Sequence, residues 1–407
     1  MPDSVFDDPV LEAARPDAQT APSAPAWAAV LSLAFGVFGL VTAEFLPASL
    51  LTPIAADLGV TDGSAGQAVT ATAVIGAIAG VTLPILTRRF DRRLVMWSLT
   101  LLLIVSSLLA AAATGLPMLL AARLLLGIGI GGFWSMMAAM TMRLVPERLV
   151  PRALSLVFTG VSIATVSAAP VGAYLGGLLG WRTVFAISAA IGVVTLLIQV
   201  LTIPRLPPQN VPGVRTLFEL LSRPTIRLVV VTILLSISGH FAGFTYVRPF
   251  LEQVPALPLP LISLVLLAYG VGGFFGNLAG TAIVERSAPA AVILGSALIA
   301  VTAFALVTFG ASLPFAAAGV AFWGFAFGAI PVGVQTWIVR AAPDQPEAAS
   351  GLIVAAFQVA IASGAIFGGV LVDNLGAIGA IGYAGVATLL GALLVLALGR
   401  REAVTAS

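Results

Sequence analysis

The 407-residue chain has no cysteine, no lysine, one histidine and only 9% charged side chains. Each shortage excludes something. Without thiols there can be no disulfide framework and no thiolate chemistry. A single imidazole cannot build a histidine-rich metal site. No phosphate-binding loop pattern occurs, so a nucleotide-driven pump lacks its signature. One histidine and one deep carboxylate fall short of the nucleophile, base and metal sets that an intramembrane enzyme needs. The sequence therefore predicts no enzyme, no metal and no cofactor. All 19 basic residues are arginine. They sit in short stretches between apolar runs rather than in one patch, so no nucleic-acid partner is expected.

What is present is apolar: 59% of the chain, with a mean hydropathy of +1.10. Soluble domains carry roughly a quarter charged residues, and far too few remain here to cover a water-facing surface. The apolar residues come in runs of about twenty, enough to cross a bilayer core of ~30 Å. A backbone in that core must satisfy its own hydrogen bonds, which favours helices. Uniformly apolar runs argue against the alternation of a β-barrel. Twelve spans are predicted, near 27–50, 64–86, 94–114, 117–141, 151–177, 183–203, 227–250, 258–281, 289–310, 313–338, 348–372 and 377–398. The fold class is an all-α membrane protein of two six-helix bundles related by a pseudo-two-fold. The predicted units are a disordered tail at 1–26, bundles at 27–203 and 227–398, a linker at 204–226 and a short tail at 399–407.

Arginine sets the direction. With the N-terminus inside, the inner connections hold Arg88, Arg89, Arg92, Arg93, Arg143, Arg148 and Arg152, then Arg205, Arg215, Arg223, Arg227, Arg286, Arg340, Arg400 and Arg401. The outer connections hold only Arg182. Both termini are expected in the cytoplasm and the chain in the cell inner (plasma) membrane, surrounded by lipid, as a monomer. The acidic, proline-rich start lacks the basic and apolar segments of a cleaved signal peptide, so the first span should be an uncleaved anchor.

The halves correspond when shifted by about 200 residues. At an offset of 197, Gly127, Gly131, Arg143 and Pro146 fall on Gly324, Gly328, Arg340 and Pro343. At 196, Ser167, Gly172, Leu175 and Gly180 fall on Ser363, Gly368, Leu371 and Gly376. In the first and seventh spans an offset of 203 aligns Gly36, Phe38 and Thr42 with Gly239, Phe241 and Thr245, and sets Glu44 opposite Val247. Even spans per half give a parallel repeat, the plan of transporters that rock two halves about a midplane site.

Polar groups in a membrane are costly and usually face a cavity. The third, ninth and twelfth spans have no charge, and the sixth has only Gln199. A cavity lined by spans one, four, seven and ten follows, with two, five, eight and eleven beside them. Glu44 is the sole acid well inside a span. Arg123 lies at a matching depth of ~9 Å from the same surface, so the two should pair, and Glu44 should load and release a proton. The alternative is a fixed structural ion pair. His240 could titrate or serve as a neutral hydrogen-bonding side chain. Arg248 could bind substrate, close an outer gate or reach lipid headgroups. Phe241, Phe244, Tyr246 and Trp337, with Asn277, Gln335 and Gln358, would suit a flat heteroaromatic ligand. Pro170 and Gly172 fit a hinge or close helix packing.

These residues carry a resemblance. Arg123-Leu-Leu-Leu-Gly127-Ile-Gly129 and Ala169-Pro170-Val171-Gly172 through Gly176-Gly177 resemble the helix-four and helix-five motifs of the major facilitator superfamily. The chain is similar to its drug:proton antiporter group over nearly its whole length. Glu44-Phe-Leu-Pro47, Gly132-Phe-Trp134, Phe244-Thr-Tyr-Val-Arg248-Pro249 and Asp373-Asn374 look like blocks of its nucleoside exporters. The resemblance implies proton-coupled antiport of purine ribonucleosides such as inosine, with sugar or multidrug efflux as alternatives. In the loop after the second span, Pro84, Arg88 and Asp91 stand where the family has glycine, an acid and glycine. Gating at Arg88, Asp91 and Arg92 therefore departs from the pattern. A channel or receptor is the alternative of another class.

Overall fold

A computed structural model describes residues 25–208 and 214–405. The readings for 1–24, 209–213, 406 and 407 lie outside the described residues. Helices make up the first part of the chain as α1 (Trp27–Ser49), α2 (Leu51–Leu58), α3 (Asp62–Leu86), α4 (Arg92–Ala111), α5 (Leu116–Leu144), α6 (Val150–Leu179) and α7 (Trp181–Thr202). The remainder forms α8 (Val214–Leu221), α9 (Pro224–Thr245), α10 (Val247–Gln253), α11 (Leu259–Arg286), α12 (Ala288–Phe309), α13 (Leu313–Ala341), α14 (Pro346–Leu375) and α15 (Ala377–Thr405). There is no strand among the described residues. Twelve helices are long and apolar enough to cross a membrane: all but α2, α8 and α10. An even number of crossings brings both ends of the chain to one side, called here the termini end. The opposite side is the far end.

The spans agree with the predicted runs to within a few residues at most ends, the seventh stopping at Thr245 and the eighth running on to Arg286. The first and seventh are each broken toward the far end, where a short helix follows at once. Proline explains both breaks. A proline lacks the N–H that would bond to the carbonyl four residues earlier, and its ring clashes with that carbonyl. Four residues before Pro53 is Ser49, the last residue of α1, and four before Pro249 is Thr245, the last of α9. The two breaks, at Leu50 and Tyr246, lie 196 residues apart.

That offset corrects the repeat in the first and seventh spans. At 196, Phe45 falls on Phe241 and Pro53 on Pro249, and Glu44 is matched by His240 rather than Val247. Close helix crossings carry the same repeat. A Cβ on Gly127 would strike the carbonyl of Thr72, and one on Gly324 the carbonyl of Tyr269. Gly131 abuts the carbonyl of Gly76 just as Gly328 abuts that of Gly273. Each partner is again 197 residues from its counterpart. Small residues let α5 cross α3, and α13 cross α11, at backbone contact.

The most enclosed spans are α1 and α9. The first six spans meet the last six mainly through α3 against α14 and α6 against α11. Gly172 packs on Ser49 and Leu46, and Gly160 on the backbone of Ala34, so α6 lies tightly against α1. Pro170 is buried within α6. Gln199 is committed inside the first half, where its Oε1 accepts from Thr100 Oγ1 at 2.8 Å.

Candidate functional site

Glu44 and Arg123 meet at mid-span, yet they do not form the expected ion pair. Nη1 of Arg123 donates to the Ala43 carbonyl at 3.0 Å, Nη2 to the Glu44 carbonyl at 3.5 Å, and Nε to Thr72 Oγ1 at 3.0 Å. No salt bridge joins the two side chains among the described residues. The guanidinium is held by backbone oxygens beside the carboxylate, close enough to influence it without occupying it. The Glu44 carboxylate instead accepts from Gln358 Nε2 at 3.5 Å, across the two halves. Gly76 makes room for that amide, since a Cβ there would stand 3.0 Å from Gln358 Oε1. That amide oxygen is buried with no hydrogen-bond partner among the described residues. A donor arriving at this point meets a carboxylate and a free carbonyl-type oxygen together.

His240 faces a different chemistry. It is buried, its Nδ1 lies 3.0 Å from Trp323 Nε1, and its Nε2 lies 3.2 Å from the Tyr269 hydroxyl. Its ring stacks on Phe327 at 3.5 Å and runs near-parallel to Phe244 at 5.7 Å. Phe241 meets it edge-on. Phe244 also stacks on Tyr269 and receives the edge of Phe45 at 5.5 Å, which links this aromatic group to the residue after Glu44. Sequence reasoning found His240, Phe241 and Phe244 but missed Tyr269, Trp323 and Phe327. The repeat held a signal: Trp323 precedes Gly324, the counterpart of Gly127 on the helix that carries Arg123.

Other predicted ligand contacts lie elsewhere. Gln335 is exposed toward the termini end and donates to Ser350 Oγ at 3.3 Å. Trp337 lies on α13 ten residues beyond Phe327, some ~15 Å along the helix, packed in the core of the last six spans. Asn277 is exposed on α11, away from His240. Tyr246 is buried and donates to the Ala365 carbonyl at 2.9 Å, with its ring against Gly66, Gly368 and Gly369. It joins the halves.

Arg248 does the same. Its Nε donates to Glu252 at 2.8 Å and its Nη1 to the Ser49 carbonyl at 2.5 Å. Pro53 leaves that carbonyl without an intrahelical donor, so an arginine of the opposite half takes it. Of the readings open to Arg248, this contact between the halves is the one that matches a closing role. Next to it, Asp373 accepts from the Gly63 amide at 2.9 Å and the Thr61 hydroxyl at 2.8 Å. These groups stand at the N-terminus of α3, where unpaired amides favour a carboxylate. Gln253 donates to Asp62 at 3.3 Å. Among the described residues, every hydrogen bond joining the first six spans to the last six lies at the far end or is the mid-span Gln358–Glu44 contact.

At the termini end the predicted gating residues stay within the first half. Asp91 caps α4 through the Arg93 amide at 2.8 Å and accepts from the Leu206 amide at 3.1 Å. Arg92 donates to Thr87 Oγ1 at 3.0 Å, and Arg88 is exposed. None of the three reaches the last six spans in this structure.

Twelve spanning helices in a repeated six-plus-six plan, a half-buried carboxylate held from the other half, and closure at one end define a membrane transporter of the rocking type. The chain belongs to the Major Facilitator Superfamily, whose family match covers residues 33–353. The purine ribonucleoside efflux pump NepI of Salmonella typhi is 41% identical over 92% of this chain and 94% of its own length. That of Salmonella enteritidis is 40% identical over the same shares. Among solved structures, a partially occluded inward-open form of the xylose transporter XylE from E. coli covers 92% of this chain and 97% of its own, with a TM-score of 0.70 and 17% identity. A bacterial homolog of the human lysosomal transporter Spinster, in an inward-facing unoccupied form, covers 92% and 96%, with a TM-score of 0.72 and 16% identity. The fold and the relatives are those of transporters, not enzymes.

Proposed function

We propose that this protein exports purine ribonucleosides such as inosine in exchange for protons, by alternating access, as a monomer in the cell inner membrane with both termini cytoplasmic. The substrate class rests on the relatives named purine ribonucleoside efflux pumps, which align over nearly the whole chain. The coupling reading rests on one observation: the Glu44 carboxylate sits at mid-span with its hydrogen bond to Gln358 of the opposite half, and the buried Arg123 guanidinium stands beside it without pairing. A proton and a ligand donor would compete for the same oxygens. Ribose hydroxyls and the ring N–H of a 6-oxopurine are such donors, and the Gln358 amide oxygen is an additional acceptor for them. The nearby Phe45, Phe244 and Tyr269 rings supply flat apolar surface for a purine. With the termini in the cytoplasm, the hydrogen-bonded far end faces the outside.

The test is counterflow in proteoliposomes under an imposed pH gradient, with inosine, arabinose and a cationic dye in separate arms. Inosine is expected to exchange and to drive proton movement. Glu44→Gln is expected to abolish substrate-driven proton movement. Exchange of arabinose or dye without inosine would sink the nucleoside assignment, and normal proton stoichiometry in Glu44→Gln would sink the coupling role.

A further inference from the structure

His240 is the sole histidine of the chain, and it occupies the position that repeats Glu44 in the last six spans. Both ring nitrogens are engaged. An indole N–H donates a hydrogen bond and cannot accept one. With Trp323 Nε1 at 3.0 Å, Nδ1 must therefore present its lone pair. A neutral imidazole carries its hydrogen on one nitrogen only, which here is Nε2, pointing at the Tyr269 hydroxyl oxygen 3.2 Å away. A second proton would have to go onto Nδ1, where it would meet the Trp323 N–H head on.

The surroundings offer an extra proton no support. α9 supplies Phe241 and Phe244, α11 Tyr269, and α13 Trp323 and Phe327. α14 brings the glycine Gly364 against Ser238 and Ala242. α15 contributes Ala384 and Tyr383, the latter bonded to Ser238 at 3.1 Å. α1 reaches the group through Phe45, while the neighbouring Glu44 carboxylate is bonded to Gln358. Tyr269 is the titratable group that touches the ring from its own half, Tyr383 meets Ser238 and Phe367 instead, and among the described residues no carboxylate contacts the ring to balance an imidazolium.

We infer that Trp323 locks His240 as the neutral Nε2–H tautomer, which bars the repeat position of Glu44 from taking up a further proton. Trp323 is then a positioning residue, and His240 is a fixed donor inside an aromatic wall. The functional meaning rests on the proton-coupled reading above: proton traffic runs through the first half alone, and the second half is free to specialise in the ligand. The chemistry of the lock does not depend on that reading.

A single histidine makes the test direct. Purified protein containing isotope-labelled histidine gives one set of imidazole resonances, which report tautomer and protonation. The wild-type ring is expected to hold its hydrogen on Nε2, unchanged from about pH 5 to pH 8. Trp323→Phe keeps an aromatic ring but removes the donor, and hydrogen is expected to appear on Nδ1, as a second tautomer or as imidazolium. A wild-type ring that carries hydrogen on Nδ1 or titrates within that window overturns the inference. So does a Trp323→Phe spectrum identical to wild type. The wild-type measurement decides the matter if the variant does not fold. No transport is read, so failure of the nucleoside or coupling assignment would leave this result standing.

Discussion

Arg123 keeps a full charge inside the membrane with no carboxylate on its guanidinium. Four oxygens take its hydrogens: the carbonyls of Ala43, Glu44 and Ala68 and the Thr72 hydroxyl. Thr72→Val removes the one side-chain acceptor while keeping the shape. The expected cost is about 1–2 kcal/mol, read as a lower midpoint of thermal unfolding in detergent. An unchanged midpoint would mean that the carbonyls alone satisfy the cation. This site was half legible in the sequence. Depth along two helices placed Glu44 beside Arg123, because rise per residue is fixed. Which atoms bond was not legible, since that depends on side-chain rotamers and on how the helices are turned. The pairing of Glu44 with Gln358 joins residues 314 apart, and the ring around His240 draws on three helices. Spacing along one chain carries neither.

Helices as units were legible to within a few residues, because a run of apolar side chains must match the bilayer. The exceptions were the breaks after α1 and α9. Proline alone did not mark them, since Pro47, Pro84, Pro170 and Pro331 lie inside α1, α3, α6 and α13 without ending them. The shared 196-residue spacing of Pro53 and Pro249 was the legible signal, and it matches Glu44 with His240. Glycine contacts were legible as composition but not as partners. Gly66 on α3 faces the Tyr246 ring so closely that a Cβ would overlap it. Gly66→Val should therefore prevent α3 from closing on α9 and α14, and shift the population toward a far-end-open state. A single cysteine in place of the half-buried Gln67, one residue along α3, would report this in a chain with no native thiol: its labelling rate by an impermeant reagent added on the far-end side should rise severalfold. A rate that does not change would show that the ring moves aside instead.

For the molecule as a whole, the two-fold plan was written in the repeat. The closed end was not, since one sequence must encode both states of a rocking transporter. The structure supplies a handle on that state. Thr61 and Asp373 touch across the halves at the far end, so Thr61→Cys combined with Asp373→Cys should cross-link under mild oxidation. Transport is expected to stop when the link forms and to recover on reduction. Transport that continues with the link intact would rule out separation of these two helices as part of the cycle. The groups that hold this end shut have a shared property. A helix-end amide, a threonine hydroxyl, an arginine and the carbonyl orphaned by Pro53 are all groups that water can satisfy as readily as the opposite half does. Opening this end exchanges each bond for one to solvent, at a net difference of about 1 kcal/mol or so apiece. Such a seal differs from its open form by only a few kcal/mol in these bonds, a gap within reach of a ligand or proton that binds the two forms unequally.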